Sequence, residues 1–307
     1  MIKMTQRDVF WNRIFELALE DRDIVIVTED MGAPALDRFR IELPEQFVNV
    51  GIAEQNGLLI GAGMALEGKK PFIYAIAPFV TLRALELIRV ECGIMDIPVT
   101  LVGVGAGFGY EDSGPTHHLV EDIAIMRAMP HITINNVADA EMARAAADYC
   151  AGAKHTNYVR LERKLTENIY TSAPDFEKGF TVFRKGKDGM IVASGYMLQA
   201  AKAVIDELGK QGKDFGLMDL FRVPANETEL VKVLAGVPRI ISYEEHFLPG
   251  GFGSYLLEVL NDRNCVKPVL RIGIEHSQGY NYVYGGREEI HKSLGLDVSS
   301  VVKRIIG

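Results

Sequence analysis

The sequence predicts an α/β protein made of two doubly wound domains with mainly parallel sheets. Short β-branched runs alternate with helix-length segments, the pattern of strands that helices cover on both faces. A charged stretch around Pro174 has no periodicity and interrupts this alternation, which indicates a linker. The length of 307 residues also suits two domains, at roughly 150 residues each. We therefore expect a first domain over 1–165, a linker over 166–188 and a second domain over 189–307.

The first domain is predicted to contain strands and helices in strict alternation. Each strand candidate is an apolar run that is too short for a helix and is bounded by turn residues. The strand candidates are 24–27, 72–74, 99–102 and 132–134, with a shorter one at 48–50. The helix candidates are 7–20, 54–66, 82–92 and 140–150.

The second domain continues the same alternation after the linker. Its strand candidates are 191–193, 239–242 and 269–272, and its helix candidates are 198–208 and 255–260. Continuous apolar strands separated by helices again indicate a parallel sheet.

The composition argues against nucleic acids and membranes as partners. Lysine and arginine number 33 against 41 aspartates and glutamates, and this formal net charge of −8 repels phosphate backbones and anionic lipids. The apolar stretch 58–66 is far shorter than the roughly 20 residues of a spanning helix. The first seven residues lack the apolar core of a signal peptide. The three widely spaced cysteines fit reduced thiols, so we expect a cytoplasmic location.

One glutamate lies where a short strand passes through glycine into a helix, within 48–56. Glu54 falls in the first helical turn, where an acidic residue complements the helix macrodipole. Its neighbours Ile52, Leu58 and Leu59 are apolar, and apolar surroundings would raise the pKa of this carboxyl towards neutrality. Spacing alone favours the first interpretation, while the second makes Glu54 a candidate catalytic residue.

A glycine-rich loop, 103–118, follows an apolar strand at the edge where open α/β sheets bind ligands. Its glycines alternate at every second position and do not match a dinucleotide-binding pattern. A flexible loop would explain the composition, but a loop of this length with two histidines and two acidic residues is uncommon without a function. The adjacent His117 and His118 lack chelating spacing, so we expect no metal site.

Phe79 and two arginines are further candidates. Phe79 follows a strand and would usually be a core residue, but at the mouth of a sheet it could stack on a flat heteroaromatic ring. Arg160 and Arg163 follow the last strand of the first domain and would usually be solvated. A pair of arginines at that position would also suit a phosphate or a similar oxyanion.

Together these segments resemble the C-terminal half of transketolase, over nearly the whole chain. Gly-Ile-Ala-Glu-Gln-Asn at 51–56 is similar to the motif of thiamine-diphosphate enzymes of the transketolase and 2-oxoacid dehydrogenase group. Gly-Pro-Thr-His at 114–117, followed by Glu-Asp-Ile-Ala at 121–124, narrows the likeness to transketolases. The segment 244–254 looks like the C-terminal domain signature. The resemblance implies a pyrimidine-binding first domain and a transketolase C-terminal second domain.

The resemblance also implies a role for each candidate residue. Glu54 would hydrogen-bond a ring nitrogen of the aminopyrimidine of thiamine diphosphate, and Phe79 would stack on that ring. His117 would contact substrate hydroxyls and assist proton transfer. Arg7 and Arg163 would hold the terminal phosphate of the substrate. The implied activity is transfer of a two-carbon ketol unit from a ketose to an aldose.

The family's motif for diphosphate and metal is missing from this sequence. That motif is Gly-Asp-Gly followed later by Asn, and the nearest match, Lys-Asp-Gly at 187–189, has a different first residue. Mg²⁺ that bridges the diphosphate would therefore find no ligands here. The resemblance implies one subunit of a split transketolase, inert alone. An N-terminal-type partner subunit would hold the diphosphate and Mg²⁺, in an α2β2 heterotetramer.

Four positions depart from the family pattern. Gly105 replaces a histidine, Ser113 replaces an aspartate, and Ile76 replaces the first of two ring-contacting phenylalanines. The family's phosphate-contacting serine falls in Gly-Ala-Pro at 32–34, which ends in Pro34 and has no hydroxyl. Asp112, one residue before Ser113, and Ser113 itself are kept as candidates for substrate binding, and Ile76 for cofactor binding. We therefore expect an unusual ketose donor, with a terminal anion such as phosphate or sulfonate.

Two alternative functions are left open. The beta subunit of a 2-oxoacid dehydrogenase decarboxylase shares the type of motif at 51–55, although the Gly-Pro-Thr-His run weighs against it. A non-catalytic scaffold subunit of the same fold is the other alternative. Retention of Glu54, Phe79 and His117 together argues against that second one.

Overall fold

A seven-stranded sheet organises the first half of the chain in this computed structural model, which describes residues 4–307. Residues 1–3 of the predicted first domain lie outside that range. The first six strands are β1 (Ile24–Thr28), β2 (Phe47–Asn49), β3 (Lys70–Ile76), β4 (Thr100–Val104), β5 (Ile132–Asn136) and β6 (Thr156–Leu161). They run parallel in the order β5-β6-β4-β3-β1-β2. The strands predicted for this domain are confirmed.

Helices cover both faces of this sheet. They are α1 (Gln6–Glu20), α2 (Pro34–Glu42), α3 (Glu54–Leu66), the short α4 (Leu85–Leu87), α5 (Asp122–Met126) and α6 (Ala140–Ala151). Residues of α1 and α6 share a core with Phe72 and Tyr74 of β3, whereas α3 packs with Ile73 on the other face. Alternate residues of one strand are thus buried on opposite sides, which is why the strands read as continuous apolar runs.

One helix departs from its prediction. The sequence predicts a single helix over 82–92, whereas the structure has two π-helical segments, Phe79–Arg83 and Ile88–Ile94, on either side of α4. The Thr81 hydroxyl donates to the Ala77 carbonyl oxygen over 2.7 Å and so competes with the backbone bonds of an ordinary α-helix. Such wide turns are frequent at functional sites, and the first segment begins at one of the predicted site residues.

A five-stranded sheet organises the second half. The remaining strands are β7 (Thr181–Arg184), β8 (Gly189–Ala193), β9 (Phe215–Asp219), β10 (Arg222–Val223), β11 (Ile240–Phe247) and β12 (Val269–Ile274). The second sheet has the order β12-β11-β8-β9-β7, parallel except for β7, while β10 pairs antiparallel with β5 at the edge of the first sheet. The remaining helices are α7 (Met197–Lys210), α8 (Glu227–Ala235), α9 (Phe252–Asp262), α10 (Arg287–Leu294) and α11 (Val298–Ile306). Within residues 4–307, no helix is long and apolar enough to cross a lipid bilayer.

Two features of the second sheet differ from the sequence pattern. The segment 166–188, predicted as a linker, contains β7, an edge strand whose mixed, charged composition hides it from a search for apolar runs. The strand β11 continues five residues beyond the predicted end at 242. Its polar residues are tolerated in a buried strand because they are bonded; Glu244 accepts a hydrogen bond from the backbone N–H of Phe252 over 2.9 Å.

A buried ion cluster joins the two halves. Arg287 of α10 donates to Glu162, which follows β6, and to Glu245 of β11. Arg160 does not follow the last strand as expected but lies within β6, buried, where its Nε donates to Asp122 over 2.7 Å. Each of these five buried charges thus has a partner of opposite sign.

Candidate active site

The carboxyl ends of neighbouring strands in the first sheet bring most of the predicted site residues together. Phe79 follows β3, the loop 105–118 follows β4, and Arg163 follows β6. Glu54 enters the same region because α3 begins immediately after the turn that leaves β2. Parallel sheets bind ligands at this edge, since the strand ends and the helix N-termini meet there.

Glu54 is the first residue of α3 and is only 4% exposed. Its Oε1 accepts a hydrogen bond from Nη1 of Arg83 over 2.5 Å. The expected apolar surroundings are only partly present, because Leu58 is buried but Ile52 and Leu59 are exposed. The carboxylate is therefore held by an ion pair that the sequence pattern did not predict.

A second buried carboxyl lies beside this pair. Glu29 follows β1, is 5% exposed, and neither of its carboxylate oxygens has a hydrogen-bond partner within residues 4–307. Gly57 of α3 leaves room for it, since a Cβ at that position would lie 2.6 Å from Oε1 of Glu29. Burial, and next the charge of Glu54, raise the pKa of Glu29 to about 8, although Arg83 opposes the shift. Glu29 is thus a carboxyl that keeps its proton at neutral pH, next to one that is paired with a cation.

Phe79 connects the glutamate to the histidine loop. The guanidinium carbon of Arg83 lies 4.2 Å from the centroid of the Phe79 ring, a cation–π contact. Phe79 also meets the ring of His117 edge-on, with centroids 5.2 Å apart. The Nδ1 atom of His117 is 3.0 Å from the hydroxyl of Thr116, which orients the imidazole. A single aromatic ring therefore links the Glu54–Arg83 pair to His117.

Tyr110 links the histidine to the two predicted anion-binding arginines. Its ring centroid lies 6.0 Å from that of His117, and the guanidinium carbon of Arg163 lies 4.6 Å from the Tyr110 centroid. Burial raises the pKa of Tyr110, while the charges of Arg163 and then Arg7 act in the opposite direction. Both arginines thus act on the same tyrosine, a residue that no sequence pattern had indicated.

The space beside Tyr110 explains one departure from the family pattern. Gly105 has a φ of 81°, and a Cβ on it would lie 2.3 Å from Cδ2 of the Tyr110 ring. The tyrosine ring occupies the room that a side chain at position 105 would need. A glycine is required here both for the left-handed backbone and for this close approach.

The other predicted positions lie at the periphery. Asp112 and Ser113 are exposed on the turn after Tyr110, and the structure brings neither into the row of contacts from Glu54 to Arg163. Ile76 ends β3 and packs, partly buried, against the core. Pro34 is exposed as the first residue of α2.

Three residues of this region were missed by sequence reasoning. Arg83 stands four residues after Phe79, and that helical spacing could have indicated a shared face. Tyr110 lies inside the conspicuous glycine-rich loop. Glu29 is the first residue after β1, and its position at a strand end, where parallel sheets bind ligands, could have indicated it.

The comparisons with known proteins agree with this architecture. The model of the transketolase pyrimidine binding domain matches residues 2–168, and that of the transketolase C-terminal domain matches 180–301. The chain is 35% identical over 306 residues to an apulose-4-phosphate transketolase subunit of Phocaeicola vulgatus, covering 97% of this chain and 95% of that protein. It is 28% identical over 300 residues to 6-deoxy-6-sulfo-D-fructose transketolase subunit SqwH of Clostridium sp. strain MSTE9, covering 97% and 92%.

A solved structure described as a split gene transketolase, inactive beta4 tetramer, superposes with a TM-score of 0.86 at 30% identity. The match covers 99% of this chain and 97% of that one. The resemblance to separately encoded transketolase subunits is confirmed, as is the pair of mainly parallel α/β sheets, and neither alternative function is favoured. The chain belongs to the transketolase family, as a subunit of the split, transferase type.

Proposed function

We propose that this chain supplies the pyrimidine-binding half of a thiamine-diphosphate-dependent active site that transfers a two-carbon ketol unit between sugars. The observation that carries the proposal is the unbroken row of contacts from Glu54 through Phe79 and His117 to Arg163. This row combines a buried carboxylate, an aromatic face, an imidazole and a cationic end along one edge of the sheet.

The residues at the carboxylate end fit the aminopyrimidine of thiamine diphosphate. Arg83 bonds to Oε1 of Glu54, so Oε2 can accept a hydrogen bond from a ring N–H, and the Phe79 ring offers a flat apolar surface for stacking. When bound, thiamine diphosphate supplies carbanion chemistry that amino-acid side chains lack. Glu54 would hold and exchange a proton at the ring nitrogen, and Phe79 would orient the ring. Ile76 is a weaker candidate for contact with the same aminopyrimidine ring.

The other end of the row fits an anionic sugar substrate. Arg163 and Arg7 both act on Tyr110, and two arginines in a partly buried site bind a tetrahedral oxyanion better than a surface pair does. His117 would contact substrate hydroxyls. The names of the two relatives include a sugar phosphate and a sulfo sugar, which supports a terminal phosphate or sulfonate. We keep Asp112 and Ser113 as outer candidates, because a bound substrate could reach the exposed turn.

The rest of the active site would come from a partner subunit. The Gly-Asp-Gly…Asn motif is absent from the sequence, so we propose that a transketolase-type N-terminal subunit holds the diphosphate and Mg²⁺. Large apolar side chains are exposed around α3 and the second π-helical segment: Ile52, Leu59, Leu66, Ile94 and Met95. Such a patch supports contact with other subunits, and we propose an α2β2 assembly that is inert without the partner. The free thiols of Cys92, Cys150 and Cys265 support a cytoplasmic location.

The test is reconstitution with a polypeptide that carries the missing motif. The complex should bind thiamine diphosphate with Mg²⁺ and transfer a two-carbon unit, whereas each subunit alone should not. Glu54→Gln should preserve assembly and lower turnover at least roughly a hundredfold, because an amide cannot exchange the proton. Glu67→Gln, at the exposed end of the same helix, is the matched control. Full turnover by Glu54→Gln, or decarboxylation of a 2-oxoacid in place of ketol transfer, would refute the proposal.

A further inference from the structure

Three loops at the opposite edge of the first sheet bring together two histidines and an aspartate. Asp96 precedes β4, His131 precedes β5 and His155 precedes β6. These three strands are neighbours in the sheet, so the loops at their amino ends are neighbours too. We propose that Asp96, His131 and His155 form a binding site for a divalent transition-metal ion, Zn²⁺ above all.

The distances suit a metal ion. Nδ1 of His155 lies 2.9 Å from Oδ1 of Asp96, and Nδ1 of His131 lies 3.6 Å from Oδ2. One donor atom from each residue can be chosen so that all three lie within 4.8 Å of one another. Tetrahedral Zn²⁺ with bonds of ~2.0–2.1 Å separates its ligand atoms by about 3.4 Å. The two distances to Asp96, each to a different carboxylate oxygen, lie on either side of this value. An ion would replace the hydrogen bond between His155 and Asp96 and draw together three donors that already lie within 4.8 Å of one another.

The orientation of the two imidazoles also favours one shared ion. Their rings are stacked, with centroids 5.8 Å apart and planes inclined by 22°, and both Nδ1 atoms approach the same carboxylate. Asp96 and His131 adopt left-handed backbone angles, φ 53° and φ 64°, which residues other than glycine rarely do. Two of the proposed ligands therefore have left-handed backbone angles, and the third lies on a separate loop. Loops that only face solvent have no need of this arrangement.

The donor set decides which ion is favoured. Two imidazole nitrogens and one carboxylate oxygen suit Zn²⁺ and similar borderline ions, whereas Mg²⁺ and Ca²⁺ prefer oxygen ligands only. The side chains of Asp96, His131 and His155 are 34%, 47% and 60% exposed, so a fourth position stays open to water or to a ligand from another molecule.

The site is separate from the candidate active site. It lies at the amino ends of β4 and β6, whereas Arg163 and the loop 105–118 lie at their carboxyl ends, roughly 16 Å away at 3.3 Å per residue of a five-residue strand. A bound metal ion would connect the three loops that precede β4, β5 and β6. Its effect should therefore be on stability, independent of thiamine diphosphate and of any partner.

Zinc titration of the untagged, metal-free chain by calorimetry tests the proposal. One Zn²⁺ per chain should bind, the melting temperature should rise with Zn²⁺ but not with Mg²⁺, and Co²⁺ should develop visible absorption of a nitrogen–oxygen site. Asp96→Asn, His131→Asn and His155→Gln should each weaken Zn²⁺ at least tenfold, since each removes one of three ligands. Asparagine at 131 tolerates the left-handed backbone, so this variant should still fold.

The control is His276→Ala, which removes an exposed histidine of the second half and should leave zinc affinity unchanged. Absence of zinc binding by the intact chain would overturn the proposal. So would zinc binding that His155→Gln and His131→Asn leave unaltered, because the ion would then occupy another site.

Discussion

Arg83 donates a hydrogen bond from Nη1 to Oε1 of Glu54 over 2.5 Å, although 29 positions separate the two residues in sequence. The same guanidinium lies over the Phe79 ring. One side chain therefore positions both the carboxylate that we assign to the cofactor and the ring that we assign to stacking. Arg83 is 44% exposed, so this pair lies near the surface, with Glu54 on its buried side.

Removing Arg83 should reveal how far Glu54 depends on it. Arg83→Ala leaves a buried carboxylate without its partner and should lower the free energy of unfolding by about 1–2 kcal/mol, the lower part of the usual range because Arg83 is half exposed. The double variant Arg83→Ala/Glu54→Gln should recover part of this loss. Urea denaturation of the four proteins measures the coupling. Strictly additive effects would mean that the pair contributes no interaction energy.

The Phe79 ring should contribute measurably to cofactor affinity. Phe79→Ala in the reconstituted complex should weaken thiamine diphosphate by roughly 1 kcal/mol, about fivefold in Kd, because an aromatic contact is lost. Phe183→Ala, on the edge strand β7, is a control that removes an equal ring far from the site. Equal affinities for Phe79→Ala and the intact chain would argue against stacking.

Arg163 should matter only for substrates with a charged end. Arg163→Met should raise KM for a phosphate- or sulfonate-terminated ketose at least roughly tenfold, with a smaller change in kcat, since in our proposal the arginine would bind a group remote from the reacting carbon. A ketose with an uncharged end should be turned over equally by both proteins. Arg184→Met, which changes the exposed last residue of β7, serves as the control. Equal losses on charged and uncharged substrates would contradict a role in anion binding.

Arg287 should be among the most sensitive positions for stability. Burial alone would raise the pKa of Glu245, but the charge of Arg287 and the hydrogen bonds from His291 and Arg287 lower it below its usual value. Arg287→Met would leave Glu245 and Glu162 buried without their cation and should cost about 3–5 kcal/mol. Arg304→Met, exposed on α11, should cost little. Chemical denaturation measures both; a loss below about 1 kcal/mol for Arg287→Met would exclude the cluster as a major stabilising contact.

Glu29 should impose a pH dependence on stability. Its pKa is raised from 4.5 to about 8, so between these values the folded chain holds a proton that the unfolded chain has released. The free energy of unfolding should therefore fall as pH rises to about 8, by roughly 1.4 kcal/mol per pH unit for this one proton.

Glu29→Gln should remove that contribution and flatten the slope between about pH 6 and 8, as measured by urea denaturation at several pH values. Asp219 and Glu244, whose pKa values are also raised to about 8, remain in both proteins, so the difference isolates Glu29. Glu67→Gln should keep the original slope. Identical slopes for Glu29→Gln and the intact chain would show that Glu29 titrates normally.

Local patterns predicted the elements more reliably than the contacts. The helix over 54–66 has the bounds that the sequence indicates, because it starts after a glycine turn and is apolar along its length. The wide turns within 79–94 were missed, since a bond from Thr81 to the backbone leaves no trace in the spacing of apolar residues. The predicted end of β11 at 242 was too early for a related reason. The partners of its buried carboxylates, such as Arg287, come from distant segments of the chain.

Local sequence was sufficient for the mainly parallel α/β architecture, for the acidic balance, and for the motifs around Glu54 and His117 that identify the family. Strand periodicity and motif spacing are properties of neighbouring residues, so they can be read before the chain folds. Three contacts required the folded chain: Arg83 on Glu54, the Tyr110 ring in the space beside Gly105, and the meeting of the loops before β4, β5 and β6. The first and third of these contacts depend on the order of strands in the sheet, which brings together residues that no local pattern relates. Tyr110 and Gly105 meet within one loop, and only the folded path of that loop shows their contact.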